Sequence, residues 1–211
     1  MLSLVIFDCD GVLFDSAAAN IAYYNAVLQR MGRAPLSEEW GRRAHFLSSR
    51  QLYEAMFGTD DQLAAEALGA ASEVDYGPFY SLMEPAAGLE EVLTALKRRY
   101  RLAMATNRGV TLPGVMREFR LGRFIELAVG VHDVTHPKPH PEMIQRCLAH
   151  FDVEPTAALY VGDSESDQRA AAAAGVHFVA VGHAPAAASL RIAGLSELPA
   201  AIAEIDGSRS V

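Results

Sequence analysis

Asp8 and Asp10 put two carboxylates on one short turn ahead of Gly11, and two further acids recur far along the chain at Asp163 and Asp167. Between them stand Thr106-Asn107 and Lys138. Taken singly, each has an ordinary explanation: Asp-Gly makes turns, Thr-Asn ends strands, and Asp163-Ser164 begins helices. Taken together they are groups of complementary kinds. Three or more crowded carboxylates repel one another and take up protons unless a cation sits among them. Their oxygens suit a hard ion such as Mg2+, which keeps waters and accepts a substrate phosphate as a further ligand. Against four carboxylates, Mg2+ and Lys138 together leave one negative charge in excess. Another basic group, backbone N–H dipoles or a protonated Asp10 must therefore assist. A protonated Asp10 suits phosphoryl transfer, because a general acid must hold a proton when the leaving oxygen departs. The Thr106 hydroxyl and the Asn107 backbone N–H are donors of the type that bind the equatorial oxygens of a phosphoryl group in its transition state.

Lys138 carries more information than a lysine usually does, since the chain has only one other, Lys97. Its setting, His136-Pro-Lys138-Pro-His140-Pro141, is a stiff loop suited to holding an ammonium in place. The same prolines keep His132, His136 and His140 from sharing a helix face as zinc ligands do, so these read as loop histidines. Asp8-x-Asp10-Gly11 opens like a calcium loop, but the glycine comes too early and Ala19 stands where the bidentate Glu belongs. Neither a Gly-x-Gly-x-x-Gly turn nor a Gly-Lys-Ser/Thr phosphate loop occurs.

For these residues to meet, the elements that carry them must share an edge. Leu2 to Phe7 is an apolar run of β-formers, expected to be a strand buried on both faces that delivers Asp8 and Asp10 to its carboxyl end. Helical stretches follow near 17–31, 37–45, 48–57, 61–71 and 73–82, with no strand pattern between 16 and 83. From Leu89 the chain alternates: helix 89–100, strand 101–106, helix 113–119, strand 125–129, helix 141–151, strand 158–161, helix 165–174, strand 177–181 and a last helix over 197–205. That alternation predicts an α/β architecture, a Rossmann-like doubly wound parallel sheet formed by residues 1–15 and 84–211, with a small α-helical insertion over 16–83. Ligands of such sheets sit beyond the carboxyl ends of the strands, where Asp8, Thr106, Lys138 and Asp163 all follow one.

Composition narrows the partners. With 26 acidic against 18 basic residues the net charge is −8, and no basic run tracks a phosphate backbone, so nucleic acid is not expected. Cys9 and Cys147 show neither metal spacing nor a disulfide framework and read as buried thiols of a reducing compartment. The stretch Leu2 to Phe7 lacks a basic leader and is too short for a membrane span, so a soluble cytoplasmic protein, monomer or homodimer, is expected.

FDCDGVLFDS at 7–16, ATN at 105–107, KPHPE at 138–142 and VGDSESD at 161–167 resemble, in order and spacing, the four motifs of the haloacid dehalogenase superfamily, and most nearly its phosphoglycolate phosphatase and β-phosphoglucomutase branch. The resemblance implies that Asp8 is the nucleophile that forms an aspartyl-phosphate, and that Asp10 protonates the leaving group and then activates water. It implies Mg2+ held by Asp8, the Asp10 backbone carbonyl and Asp163, phosphoryl binding by Thr106, the Asn107 backbone and Lys138, and support from Asp167 to Lys138 or to a metal-bound water. An acid at Asp10 argues against dehalogenation and phosphonate cleavage. The resemblance also implies that the insertion over 16–83 is a helical cap, which begins Ser16-Ala-Ala-Ala-Asn20, without the histidine that the mutases place there. Arg108 stands where many relatives carry Lys. The implied substrate is a small phosphorylated metabolite, read by the cap, with Arg43, Ser48, Ser49 and Arg50 as candidate contacts. Two rivals are a receiver-type phospho-acceptor, which carries its Asp on a middle strand without a helical insertion, and a superfamily member retained only as a non-catalytic binding module.

Overall fold

The computed structural model of the chain describes residues 1–44, 47–58, 60–182 and 190–207. In chain order β1 (Leu4–Phe7) and β2 (Phe14–Asp15) lead into helices α1 (Ala17–Arg30), α2 (Glu38–Ala44), α3 (Ser49–Phe57) and α4 (Asp61–Glu73). After β3 (Glu84–Pro85) come α5 (Leu89–Lys97), β4 (Arg101–Ala105), α6 (Leu112–Glu118), β5 (Leu127–Val129), α7 (Glu142–Phe151), β6 (Ala158–Gly162), α8 (Glu165–Ala174), β7 (His177–Val181), β8 (Arg191–Ile192) and α9 (Leu198–Gly207).

Six strands form one sheet in the order β5-β4-β1-β6-β7-β8, with every pairing parallel. β1 sits in the interior and is buried at all four positions, which is why it reads as an unbroken apolar run: with helices on both faces it has no wet side to alternate with. The period of two still sorts its side chains. Val5 and Phe7 face the core built with Leu93 of α5 and Ile202 of α9, while Leu4 and Ile6 face the core built with Ile144 of α7 and Ala171 of α8. Removing each such side chain from water contributes about 1.5–3 kcal/mol before chain entropy is counted. The alanines of α8 let it lie close on the sheet; Ala170, Ala171 and Ala174 are all buried.

β2 and β3 pair antiparallel, Phe14 with Pro85 and Asp15 with Glu84, so the chain enters and leaves the helical insertion at adjacent points. The insertion is held by rings: Tyr76 lies 5.1 Å from Tyr23 and 5.8 Å from Phe79, and Tyr24 lies 5.9 Å from Tyr53. Three local expectations change. The helix expected over 73–82 does not form: α4 runs to Glu73, and a 3-10 turn, Gly77–Leu82, starts at Gly77-Pro78, because proline starts a helix readily but cannot continue one. Ile125 and Glu126 precede β5 instead of opening it. The two-residue strands β2, β3 and β8 were not anticipated, being too short to show alternation. Of the helix expected over 37–45, residue 45 lies outside the described residues.

Candidate active site

β4, β1 and β6 are neighbours, so the residues that follow them emerge side by side at one sheet edge: Thr106 after β4, Asp8 after β1 and Asp163 after β6. Oxygens of Asp8, Asp163 and Asp167 lie within 4.8 Å of one another. Two glycines allow this approach. Gly11, at φ +76°, faces Asp163 so closely that a Cβ there would collide with the Asp163 carboxylate, and Gly162 leaves similar room for Asp167. Ser164 caps α8 in a capping box, accepting from the Asp167 N–H, and Asp167 in turn accepts from the Asp163 and Ser164 N–H groups, at 3.2 and 3.1 Å. The helix start therefore builds the site as well as the helix.

Lys138 reaches in from the loop between β5 and α7. Asn107 holds that loop by a two-way amide contact, accepting from the Lys138 N–H at 3.1 Å and donating to the Lys138 carbonyl at 3.3 Å. The ammonium lies 2.9 Å from Asp8 Oδ2 and 2.6 Å from Asp167 Oδ1 with 2% of its side chain exposed, and it donates to the Tyr160 hydroxyl at 3.0 Å. Burial acts to lower the Lys138 pKa, but the charges of Asp167 and Asp8 outweigh it and hold the group above its usual range. Burial pushes the Asp8 carboxyl up to about 7 against the opposing pull of Lys138, with Asp167, Asp163 and Asp10 adding to the rise. A divalent ion against Asp8 acts the other way and favours its ionised form.

The Asp10 carboxylate is turned toward the helical insertion. Arg108 donates to Asp10 Oδ1 from Nη2 at 2.6 Å and from Nε at 3.1 Å, and the two side chains are 5% and 13% exposed. Four carboxylates thus face two cations, Lys138 and Arg108. The two excess negative charges match one divalent cation, and the all-oxygen donor set of Asp8 and Asp163 suits Mg2+. The cleft left by Gly11 fits this reading, since it keeps the Asp163 carboxylate against Asp8. Gly11→Ala is accordingly expected to weaken Mg2+ binding at least about tenfold, measured by calorimetric titration; unchanged affinity would mean that Asp163 is not a ligand.

A sequence model of the family described as haloacid dehalogenase-like hydrolase matches residues 5–181. The chain belongs to that family. Among relatives of the haloacid dehalogenase-like hydrolases, phosphoglycolate phosphatase 1 of Pseudomonas aeruginosa is 32% identical over 189 residues, covering 84% of this chain and 68% of its own. The phosphoglycolate phosphatase of Nitrosococcus oceani is 29% identical over 192 residues, covering 85% of this chain and 84% of its own. A solved superfamily hydrolase of subfamily IA, variant 1, from Geobacter sulfurreducens is 39% identical with a TM-score of 0.82, covering 95% of this chain and 99% of its own.

In this haloacid dehalogenase-like hydrolase a cavity of about 50 Å3 lies between the sheet edge and the helical cap, lined by Asp8, Asp10, Thr106, Asn107, Lys138 and Asp163 from the core. The cap contributes neutral groups, among them Asn20, Tyr24, Ser49 and Tyr76. Of the four cap residues singled out from the sequence, Ser49 lines this cavity. Ser48 is buried as the N-cap of α3, bonded to Gln51. Arg43 lies over the Trp40 ring, 4.3 Å from its centroid, and Arg50 pairs with Glu54 at 3.5 Å on the surface; neither lines the cavity. His136 and His140 come within 4.6 Å, ring to ring, beside Glu142, which accepts the Thr135 and His136 N–H groups at 2.9 Å. These contacts brace the loop that carries Lys138. Cys9 and Cys147 are buried and free. Asn20, Tyr76 and Tyr160 were not anticipated; each lies inside a helical or apolar stretch with nothing local to mark it.

Proposed function

We propose that the protein is a Mg2+-dependent phosphatase acting on a small phosphate monoester through an aspartyl-phosphate on Asp8, with phosphoglycolate the first ester to test. That it is a phosphatase follows from its family and relatives; the metal, the residue roles and the substrate are the proposal. The observation that carries it is the gathering of the Asp8, Asp163 and Asp167 oxygens within 4.8 Å of one another, two of them, Asp8 and Asp167, on the buried Lys138 ammonium. An Asp8 oxygen attacks phosphorus while Asp10 gives a proton to the departing oxygen; Asp10 then takes a proton from the water that attacks the aspartyl-phosphate. Splitting the transfer in this way replaces one difficult step by two easier ones. Lys138, the Thr106 hydroxyl and the Asn107 N–H bind the phosphoryl oxygens, and Asp167 holds Lys138 in place. Bound Mg2+, held by Asp8, the Asp10 carbonyl and Asp163, supplies charge neutralisation between carboxylate and phosphate.

The small volume of the cavity supports a compact leaving group over a phosphosugar carrying a second phosphate. Residues 1–15 and 84–211 act as core and 16–83 as a cap that excludes water. A cytoplasmic setting accords with the two unpaired cysteines and with the finding that no described helix is long and apolar enough to cross a membrane. Phosphorylated metabolites, assayed with Mg2+ and with EDTA, provide the test: EDTA-sensitive release of phosphate from at least one small ester is expected, and none from any ester rejects the reading.

The Asp8 shift adds a prediction about stability. Its folded pKa, about 7, stands above the ordinary 3.8, so the folded state binds this proton more tightly than the unfolded state. The contribution is fully present below about pH 3.8 and is lost as pH rises toward 7. Mg2+ competes for the same carboxylate. The rise in melting temperature on adding Mg2+ over EDTA is expected to be larger near pH 7.5 than near pH 5; an equal rise at both contradicts the assignment of Asp8 as a ligand.

A further inference from the structure

Four donors from three parts of the chain converge on a single oxygen, Asp10 Oδ1. Ser16 Oγ donates from the start of the insertion and Asn20 Nδ2 from α1 at 3.4 Å. Arg108 donates twice from the loop after β4. The guanidinium also spans the junction between core and cap. Its Nη1 donates to Thr111 Oγ1 at 3.2 Å, its Nη2 lies 3.3 Å from Asn20 Oδ1 and 3.4 Å from the Tyr76 hydroxyl, and it sits 5.3 Å from the Tyr76 ring centre. Tyr76 closes the circuit by donating to Asn20 Oδ1 at 2.8 Å.

We propose that Arg108 is a positioning residue for Asp10: with Ser16 and Asn20 it holds that carboxyl group in the orientation from which it delivers its proton to the departing ester oxygen. The inference rests on the reading of Asp10 as the acid of the phosphatase. Among the anchors Arg108 has the most influence, because its bonds to Asp10 are charge-assisted and doubled, whereas those of Ser16 and Asn20 come from neutral donors. The planar fork also matters: it engages Asp10 and Thr111 at once and lies against Tyr76, which a lysine's single ammonium cannot reproduce. The anchors come from core and helical insertion together, with Arg108 from the loop after β4 and Ser16 and Asn20 from the start of the insertion.

The test compares first-turnover rates for two esters, p-nitrophenyl phosphate, whose anion departs without a proton, and an alkyl phosphate such as phosphoglycolate, whose alkoxide does not. Arg108→Ala and Arg108→Lys, each checked to be folded at the assay temperature by a cooperative melting transition above it, are expected to slow aspartyl-phosphate formation from the alkyl ester by about 100-fold or more. Release of p-nitrophenolate in the first turnover should change less than about fivefold, and KM for both esters should stay close to that of the parent. In an Asp10→Asn background, Arg108→Ala should cost nothing further. Equal slowing with both esters, no slowing with either, or a KM rise confined to the carboxylated ester overturns the positioning role. The parent reading has its own control: if Asp10→Asn fails to discriminate between the two esters, the acid assignment falls, whatever Arg108 does.

Discussion

Asp8→Asn is expected to reduce turnover of p-nitrophenyl phosphate by a factor on the order of 10^4 to 10^6, the scale on which loss of a covalent nucleophile is felt. The change is close to isosteric. The side chain keeps one oxygen for the Cys9 N–H, which Asp8 Oδ1 accepts at 2.7 Å, and Lys138 retains Asp167 as a partner at 2.6 Å. A buried carboxylate is removed along with its desolvation cost. The fold should therefore survive, and a circular-dichroism melt beside the kinetic assay separates loss of chemistry from loss of structure. Turnover within tenfold of the parent would show that another group accepts the phosphoryl.

Lys138→Met should damage stability and activity together. The ammonium is the shared partner of Asp8 and Asp167, whose side chains are 10% and 0% exposed. Removing it leaves two buried carboxylates facing each other with no counter-charge, a loss of about 3–5 kcal/mol, seen as an earlier midpoint in urea. Adding Asp167→Asn to Lys138→Met removes one of the stranded charges and should recover a large part of that loss, without restoring turnover. The reason is that stability depends on charge balance, whereas phosphoryl binding needs the cation itself. Additive effects of the two substitutions on stability would show that the Lys138–Asp167 contact contributes little.

Much of the core half of the site could be read from the chain because Asp8, Thr106 and Asp163 each directly follow a strand of the parallel sheet that the alternating pattern implies. Asp8, Thr106 and Asp163 need only the parallel topology to meet, and topology is what hydrophobic periodicity reports. The cap half could not. Asn20 and Tyr76 sit in helical stretches, and their relevance arises from how the insertion folds back over the edge, a long-range contact with no local signature. Tyr160 lies in a strand that reads as core, yet its hydroxyl donates to the Ala105 carbonyl and accepts from Lys138. Arg43 and Arg50, cations near a break between helices, lie against Trp40 and Glu54. Arg108 is the instructive case. With a divalent cation counted beside the motif residues, the site is still one positive charge short, and the buried guanidinium beside Asp10 provides it.

A single measurement bears most directly on the chemistry assigned to this sheet edge. The parent enzyme, turning over p-nitrophenyl phosphate with Mg2+, is quenched in acid, digested at low pH and examined by mass spectrometry for a phosphorylated peptide. The adduct is expected on the peptide containing Asp8, on that carboxylate alone, labile to hydroxylamine and absent when EDTA replaces the metal. A phosphoryl group found on a different side chain, or sustained turnover by the Asp8→Asn protein with no adduct at all, would contradict it.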